Sequence, residues 1–116
     1  MLEKDIVAKI LKWMRSLPLP VYGHKVHGGA YGSGEPDIDA CIMGRALKIE
    51  VKQPGKHPTP LQVSVMEKWE KAGAIVGCAH SLDEAKAIVL RLLKTLPCTE
   101  DAILSIIIEI ERDLAA

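Results

Sequence analysis

Two seven-residue runs flanking a short break restrict this chain's fold more than any other feature. In the run from Pro36 to Ile42, the apolar residues Ile38, Ala40 and Ile42 alternate with Asp37, Asp39 and Cys41. In the run from Ala46 to Lys52, Leu47, Ile49 and Val51 alternate with Lys48, Glu50 and Lys52. Strict alternation puts successive side chains on opposite faces of a strand, so each run reads as a strand with one apolar and one charged face. Gly44 and Arg45 read as the hairpin turn between them. Two consecutive strands therefore present a common face that carries carboxylates.

The remaining pattern supplies helices and two more strands. Leu2, Ile6, Val7, Ile10, Leu11 and Met14 recur at helical spacing, and Pro18 and Pro20 end that helix. Residues 21–27 read as a strand, followed by an irregular glycine-rich stretch from Gly28 to Gly34. After a loop at 53–58, Thr59 is an N-cap with Pro60 in the first helical position. Leu61, Val65, Trp69 and Ala72 line one side of that helix, and Gly73 closes it. Residues 74–79 read as a short buried strand. Ser81 with Glu84 has the pattern of a capping box, opening a helix to about Lys94 with Ala85, Ile88, Val89 and Leu92 inward. Pro97 and Thr99 precede a last helix striped by Ile103, Ile106, Ile107, Ile110 and Leu114. The order is that of an α/β fold with a small mixed sheet, because the helix between the third and fourth strands permits a parallel crossover. No repeat or long linker divides the chain, so residues 1–116 read as one domain, with 93–116 a helical extension.

Composition narrows the setting. A chain of 116 residues can bury one ordinary core, here mostly aliphatic because there is no Phe. Cys41, Cys78 and Cys98 have neither metal-motif nor disulfide-framework spacing, which points to a reducing compartment. The N-terminus mixes charged and apolar residues, unlike a signal peptide, and no apolar run is long enough to span a bilayer. A soluble, cytoplasmic protein without membrane partners is expected. Fifteen basic and fifteen acidic side chains balance, which weighs against coating DNA by bulk attraction but leaves room for a basic rim around an acidic site.

The chemistry centres on Asp37 and, thirteen positions later, Glu50-Val51-Lys52. Glu50 and Lys52 share a face and point toward whatever Asp37 faces across the hairpin. One carboxylate from each strand suits a hard cation such as Mg2+ (or Mn2+), with the Val51 carbonyl, water and a phosphate completing its oxygen shell. A lysine beside it orients water and stabilises charge developing on phosphate. Lys25, Arg45, Lys48, Lys52, Lys56 and Lys71 are candidates to follow a phosphate backbone, and His57 in the loop after Lys52 is a candidate phosphate contact. Asp39 either joins Asp37 or is a solvent-facing strand acid. His24 and His27, three apart on a strand, face opposite ways and make no shared zinc site. The glycines at 28, 29, 32 and 34 match no dinucleotide or P-loop fingerprint, so no organic cofactor is expected.

The segment from Gly32 to Gln62, GSGEPDIDACIMGRALKIEVKQPGKHPTPLQ, resembles the PD-(D/E)xK nuclease superfamily and, within it, the virus-type replication-repair nuclease (VRR-NUC) family. The resemblance weakens outside this segment and stops near residue 90. It implies a restriction-endonuclease-like αβββαβα core with an extra C-terminal helix. It also implies a Mg2+- or Mn2+-dependent deoxyribonuclease, with Asp37 and Glu50 as metal ligands, Lys52 as the catalytic lysine and Gln62 as a supporting residue. Glu3 matches the first-helix acid that many members add to the metal site. Stand-alone members resemble dimeric junction resolvases, which implies a homodimer acting on branched, Holliday-junction-like DNA, in a phage setting. Plainer roles compete at several positions: Gln62 as a capping-box partner of Thr59, Glu3 as an acid favoured by the helix dipole, and the isoleucine stripe as part of the chain's own core. Whole-chain alternatives are a catalytically silent nucleic-acid-binding module of the same fold, or an assembly subunit working through its last helix.

Overall fold

A computed structural model describes residues 1–27, 34–97 and 100–116. The glycine-rich reading at 28–33 and the role given to Thr99 lie outside the described residues. The elements run α1 (Glu3–Arg15), β1 (Val21–Lys25), β2 (Ile38–Ile42), β3 (Arg45–Val51), α2 (Pro60–Lys71), β4 (Ile75–Ala79), α3 (Leu82–Lys94) and α4 (Asp101–Ala115). The sheet order is β1-β2-β3-β4, antiparallel except for the β3/β4 pair, which α2 makes parallel by crossing over. This is the α/β architecture with a small mixed sheet that the pattern predicts.

The hairpin alternation sets the layers. Ile38 pairs with Ile49 and Ala40 with Leu47, so their apolar side chains share one face. Onto that face pack Ile6, Ile10 and Met14 of α1 and Val89, Leu92 and Leu93 of α3, and the buried stripe Ile103, Ile106, Ile107 and Ile110 of α4 packs in turn against α3. That stripe is thus covered by the chain's own core, and only Leu104 (41%) and Ile108 (57%) on α4 stay exposed as large apolar residues. Where α3 crosses β4, Gly77 makes room: a Cβ there would lie 2.5 Å from Ile88 Cδ1.

Three local readings need correction. The hairpin turn is Met43-Gly44, not Gly44-Arg45, and Arg45 already pairs with Ile42. Met43 (φ 51°) and Gly44 (φ 82°) are both left-handed, as a two-residue turn requires to match the strands' right-handed twist. At the start of α3, Ser81 Oγ accepts from the Glu84 amide, but the Glu84 carboxylate turns to His80 instead of completing a capping box. The largest difference is α2, which buries none of its residues. Leu61 is 53% exposed, Ala72 is exposed, and Val65 and Trp69 are half-buried. The reason lies beneath it: α2 covers the charged face of the hairpin, where there is little apolar surface to receive a hydrophobic stripe.

Candidate active site

The charged face divides into two unlike parts. Along the middle of the hairpin Asp39 stands opposite Lys48 in the β2/β3 register. Lys48 is only 6% exposed, donates to Asp39 Oδ1 and lies 3.9 Å from the centroid of the Trp69 ring. Trp69 in turn donates its indole N–H to Glu35 Oε2 at 2.9 Å. One buried ammonium is therefore matched by a carboxylate and an aromatic face, and the same contacts pin α2 to the sheet.

At the C-terminal end of β3 the balance is different. Asp37 lies just before β2, where its carbonyl accepts from the Val26 amide at 2.7 Å and its Oδ2 accepts from the Val51 amide at 2.8 Å. The carboxylate is thereby held against the residue after Glu50. Glu50 itself is 1% exposed, and its Oε2 is buried without any hydrogen-bond partner. Burial first, then the adjoining Asp37 carboxylate, push the Glu50 carboxyl up to about 9, while Lys52 pulls the other way and Glu3 adds a small upward push. Lys52 follows β3, and its amide donates to Ala79 O at 3.1 Å, extending the parallel ladder one residue past the strand. Cys78 stands opposite Glu50 in the β3/β4 register, and burial and then the Glu50 charge raise its thiol pKa.

Asp37, Glu50 and Lys52 therefore come together as the alternation predicts. Glu3 is near enough for its charge to be felt at Glu50, but among the described residues no three His, Cys, Asp or Glu side chains converge to hold an ion by themselves. A two-carboxylate site is what the geometry offers. It fits a hard cation: two carboxyl groups are side by side, one buried oxygen lacks any partner, and Lys52 lowers the Glu50 pKa too little to ionise it without added positive charge.

Other candidates fall elsewhere. Gln62 completes a capping box, its Oε1 accepting from the Thr59 amide at 2.9 Å while Thr59 Oγ1 accepts from the Gln62 amide at 3.2 Å. Lys48, expected on a phosphate-contacting rim, is buried in the pair just described, because its register partner is an acid. Arg45 begins β3, five residues or about 17 Å from Glu50 along the strand, and donates to Thr95 Oγ1 and Gly73 O. Lys71, at the C-terminal end of α2 beside Gly73, is at that far end too. Lys25 is exposed at the site end of β1 and lines a groove on the α1 side. Lys56 and His57 are exposed in the loop after Lys52.

That loop has an anchor that sequence reasoning missed. The His80 ring bonds Glu84 Oε1 through Nδ1 at 2.8 Å and the Lys56 carbonyl through Nε2 at 2.7 Å, and it meets the His57 ring edge-on at 6.1 Å. Glu84, then the Lys56 carbonyl, raise the His80 pKa, and the Glu84 carboxyl is lowered in return. The i,i+4 spacing of His80 and Glu84 was the available signal. Cys78 had none until the parallel register was known.

No family profile matches the chain, and no curated protein matches it. Among solved structures, a VRR-NUC domain protein shares 21% sequence identity and covers 81% of this chain and 89% of its own, with a TM-score of 0.69. A second, a VRR-NUC domain, shares 22% identity over 75% of this chain and 92% of its own, with a TM-score of 0.64. This chain has the fold of a VRR-NUC domain.

Proposed function

We propose that this VRR-NUC-like chain is a metal-dependent endonuclease that hydrolyses DNA phosphodiester bonds at the Asp37–Glu50–Lys52 end of its sheet. The observation that carries the reading is the buried, unpartnered oxygen of Glu50 beside the Asp37 carboxylate. A buried carboxyl that must keep its proton beside a second carboxylate is ready to exchange that proton for a cation, and gains stability when it does.

Asp37 and Glu50 would hold Mg2+ or Mn2+, with the Val51 carbonyl as a further ligand. When bound, such an ion supplies positive charge that polarises the phosphate and lowers the pKa of a water. The protein's own groups do the rest. The Val51 amide fixes the Asp37 carboxylate, so the donor pair is oriented before substrate arrives. Lys52 points its ammonium toward the same end, where it orients the attacking water and stabilises charge building on the phosphate oxygens. In-line attack inverts configuration at phosphorus. Recognition of DNA shape, such as a branch, is part of this reading, because Lys25 and Lys56 near the site are exposed and suit phosphate contacts, which carry no sequence information. Leu104 and Ile108, one turn apart and exposed on α4, support a homodimer that would set two sites on one branched substrate.

The test is a panel of labelled branched and linear DNAs incubated with and without Mn2+, alongside Asp37→Ala and Lys52→Ala. Cleavage by the wild type only, dependent on Mn2+ and strongest on a branched substrate, is expected. Equal cutting by both variants would reject the site, and binding without cleavage would reassign the chain as a silent DNA-binding module.

A further inference from the structure

We infer that the groove between α1 and β1 holds the sugar-phosphate backbone of duplex DNA leading away from the cleavage site; the inference rests on the nuclease reading for its substrate. The groove encloses about 430 Å³ and is lined by Lys4, Lys12 and Arg15 of α1 and Lys25 of β1, over a floor of Val7, Ala8 and Leu11. Lys4, Ala8, Lys12 and Arg15 follow one another at three- and four-residue steps, so they form a single stripe along the helix. Gly23 and Lys25 lie on the α1 side of β1, because a Cβ on Gly23 would meet Met14 and Ala40.

Two features separate this groove from an ordinary solvated surface. The chain carries no net charge, yet four cations meet here and no acid lines the groove. Three lysines outside the groove have acid partners, Lys48 with Asp39, Lys86 with Asp113 and Lys94 with Glu111, whereas the groove brings its cations together on one surface with no acid among them. Lys4, Lys12 and Lys25 have no ion pair among the described residues. Arg15 is held by one nitrogen to the Gly23 carbonyl at 3.0 Å, which fixes its guanidinium at the groove while leaving other N–H donors for a phosphate.

The position fits as well. Lys25 pairs with Ile38, the residue after Asp37, and Lys4 follows Glu3, whose charge reaches Glu50, so one end of the groove opens at the carboxylate pair. From Lys4 to Arg15 the helix rises about 16 Å, enough to run along a few successive phosphates of one strand. Contacts of this kind position a duplex without reading its sequence.

The test measures binding of a short labelled duplex by fluorescence anisotropy in EDTA over a range of salt, so that cleavage plays no part. The variant carrying Lys4→Ala, Lys12→Ala and Lys25→Ala should lose affinity, and its slope of log K against log salt should be shallower by about 2 to 3, at about 0.9 per phosphate contact. Lys94→Ala should bind like the wild type. Lys12→Glu alone should shift affinity in the same direction as the triple variant. A slope identical to the wild type's, or no binding by the wild type at low salt, overturns the groove. A reduced slope in a protein that never cuts keeps the groove and rejects the nuclease; cutting with an unchanged slope rejects the groove alone.

Discussion

Replacing Glu50 by Gln should stabilise the metal-free protein, and by an amount that grows with pH. The native protein holds a proton on Glu50 up to about pH 9, whereas the unfolded chain releases it near the ordinary value of 4.5. A folded pKa raised above the unfolded one gives stability that is fully present below pH 4.5 and is lost as pH rises toward 9, because the native state binds the extra proton. At about 1.4 kcal/mol per pH unit, the loss by pH 7 is about 3 kcal/mol. Gln has the shape of the protonated acid and no charge to release, so Glu50→Gln should escape that loss. Urea unfolding in EDTA at a series of pH values from 5 to 8 measures it. The gap between variant and wild type should widen by about 1.4 kcal/mol for each pH unit. His80 and Glu84 titrate equally in both proteins and drop out of the difference. Adding Mg2+ at pH 8 should narrow the gap by stabilising the wild type alone, since binding there releases the proton. A gap that stays constant across pH would refute the reasoning, because Glu50 would then titrate as an ordinary exposed acid with no need of a cation.

Further outcomes follow from the same geometry. Gly77→Ala should destabilise by about 1–3 kcal/mol through overpacking against Ile88, with Ile88→Val added to it restoring part of the loss in urea unfolding, since the nearest atom to the new Cβ is Ile88 Cδ1 at 2.5 Å. Gln62→Ala should cost about 1 kcal/mol of stability as a lost helix cap while changing the single-turnover cleavage rate much less than Lys52→Ala does, which assigns Gln62 to the helix and not to the chemistry. Glu84→Gln should lower the His80 pKa in an NMR titration, because the carboxylate is the first cause of its elevation; an unmoved His80 would mean that the Lys56 carbonyl alone holds the ring.

What could be read in the sequence depended on how far apart the interacting residues are in the chain. The β2/β3 hairpin was legible because alternation and a left-handed Gly44 act locally, and its register alone brings Asp37 beside the end of β3. The one-residue error in the turn arose because Met43 adopts a left-handed conformation that its residue type does not advertise. The α2 helix misled for a non-local reason. Its Leu61, Val65 and Ala72 have a respectable apolar spacing, but burial depends on the surface beneath, and that surface is the charged face of another element. Arg45 and Lys71 seemed close to the site only because sequence distance was read as spatial distance. The strand carries Arg45 to the opposite end of the sheet, and the crossover helix delivers Lys71 there too.

The two pairs on the charged face show why the location of the cation follows from the structure and not from composition. Asp39 and Asp37 are two residues apart and both face partners on β3, so the sequence alone treats them alike. Register gives Asp39 a lysine partner, and Trp69 closes over that pair, leaving it electrically complete. Asp37 instead meets Glu50, which sits in a nearly solvent-free position with an oxygen that bonds to nothing. If this face served only to support α2, one neutral pair repeated along the hairpin would do so at lower cost, since an unpaired buried carboxylate is among the more expensive groups a small domain can hold. The carboxyl that keeps its proton for want of a positive partner lies at the end of the sheet where Lys52, Lys25 and the basic groove converge, and there a divalent cation would take that proton's place while a phosphate would meet the lysines.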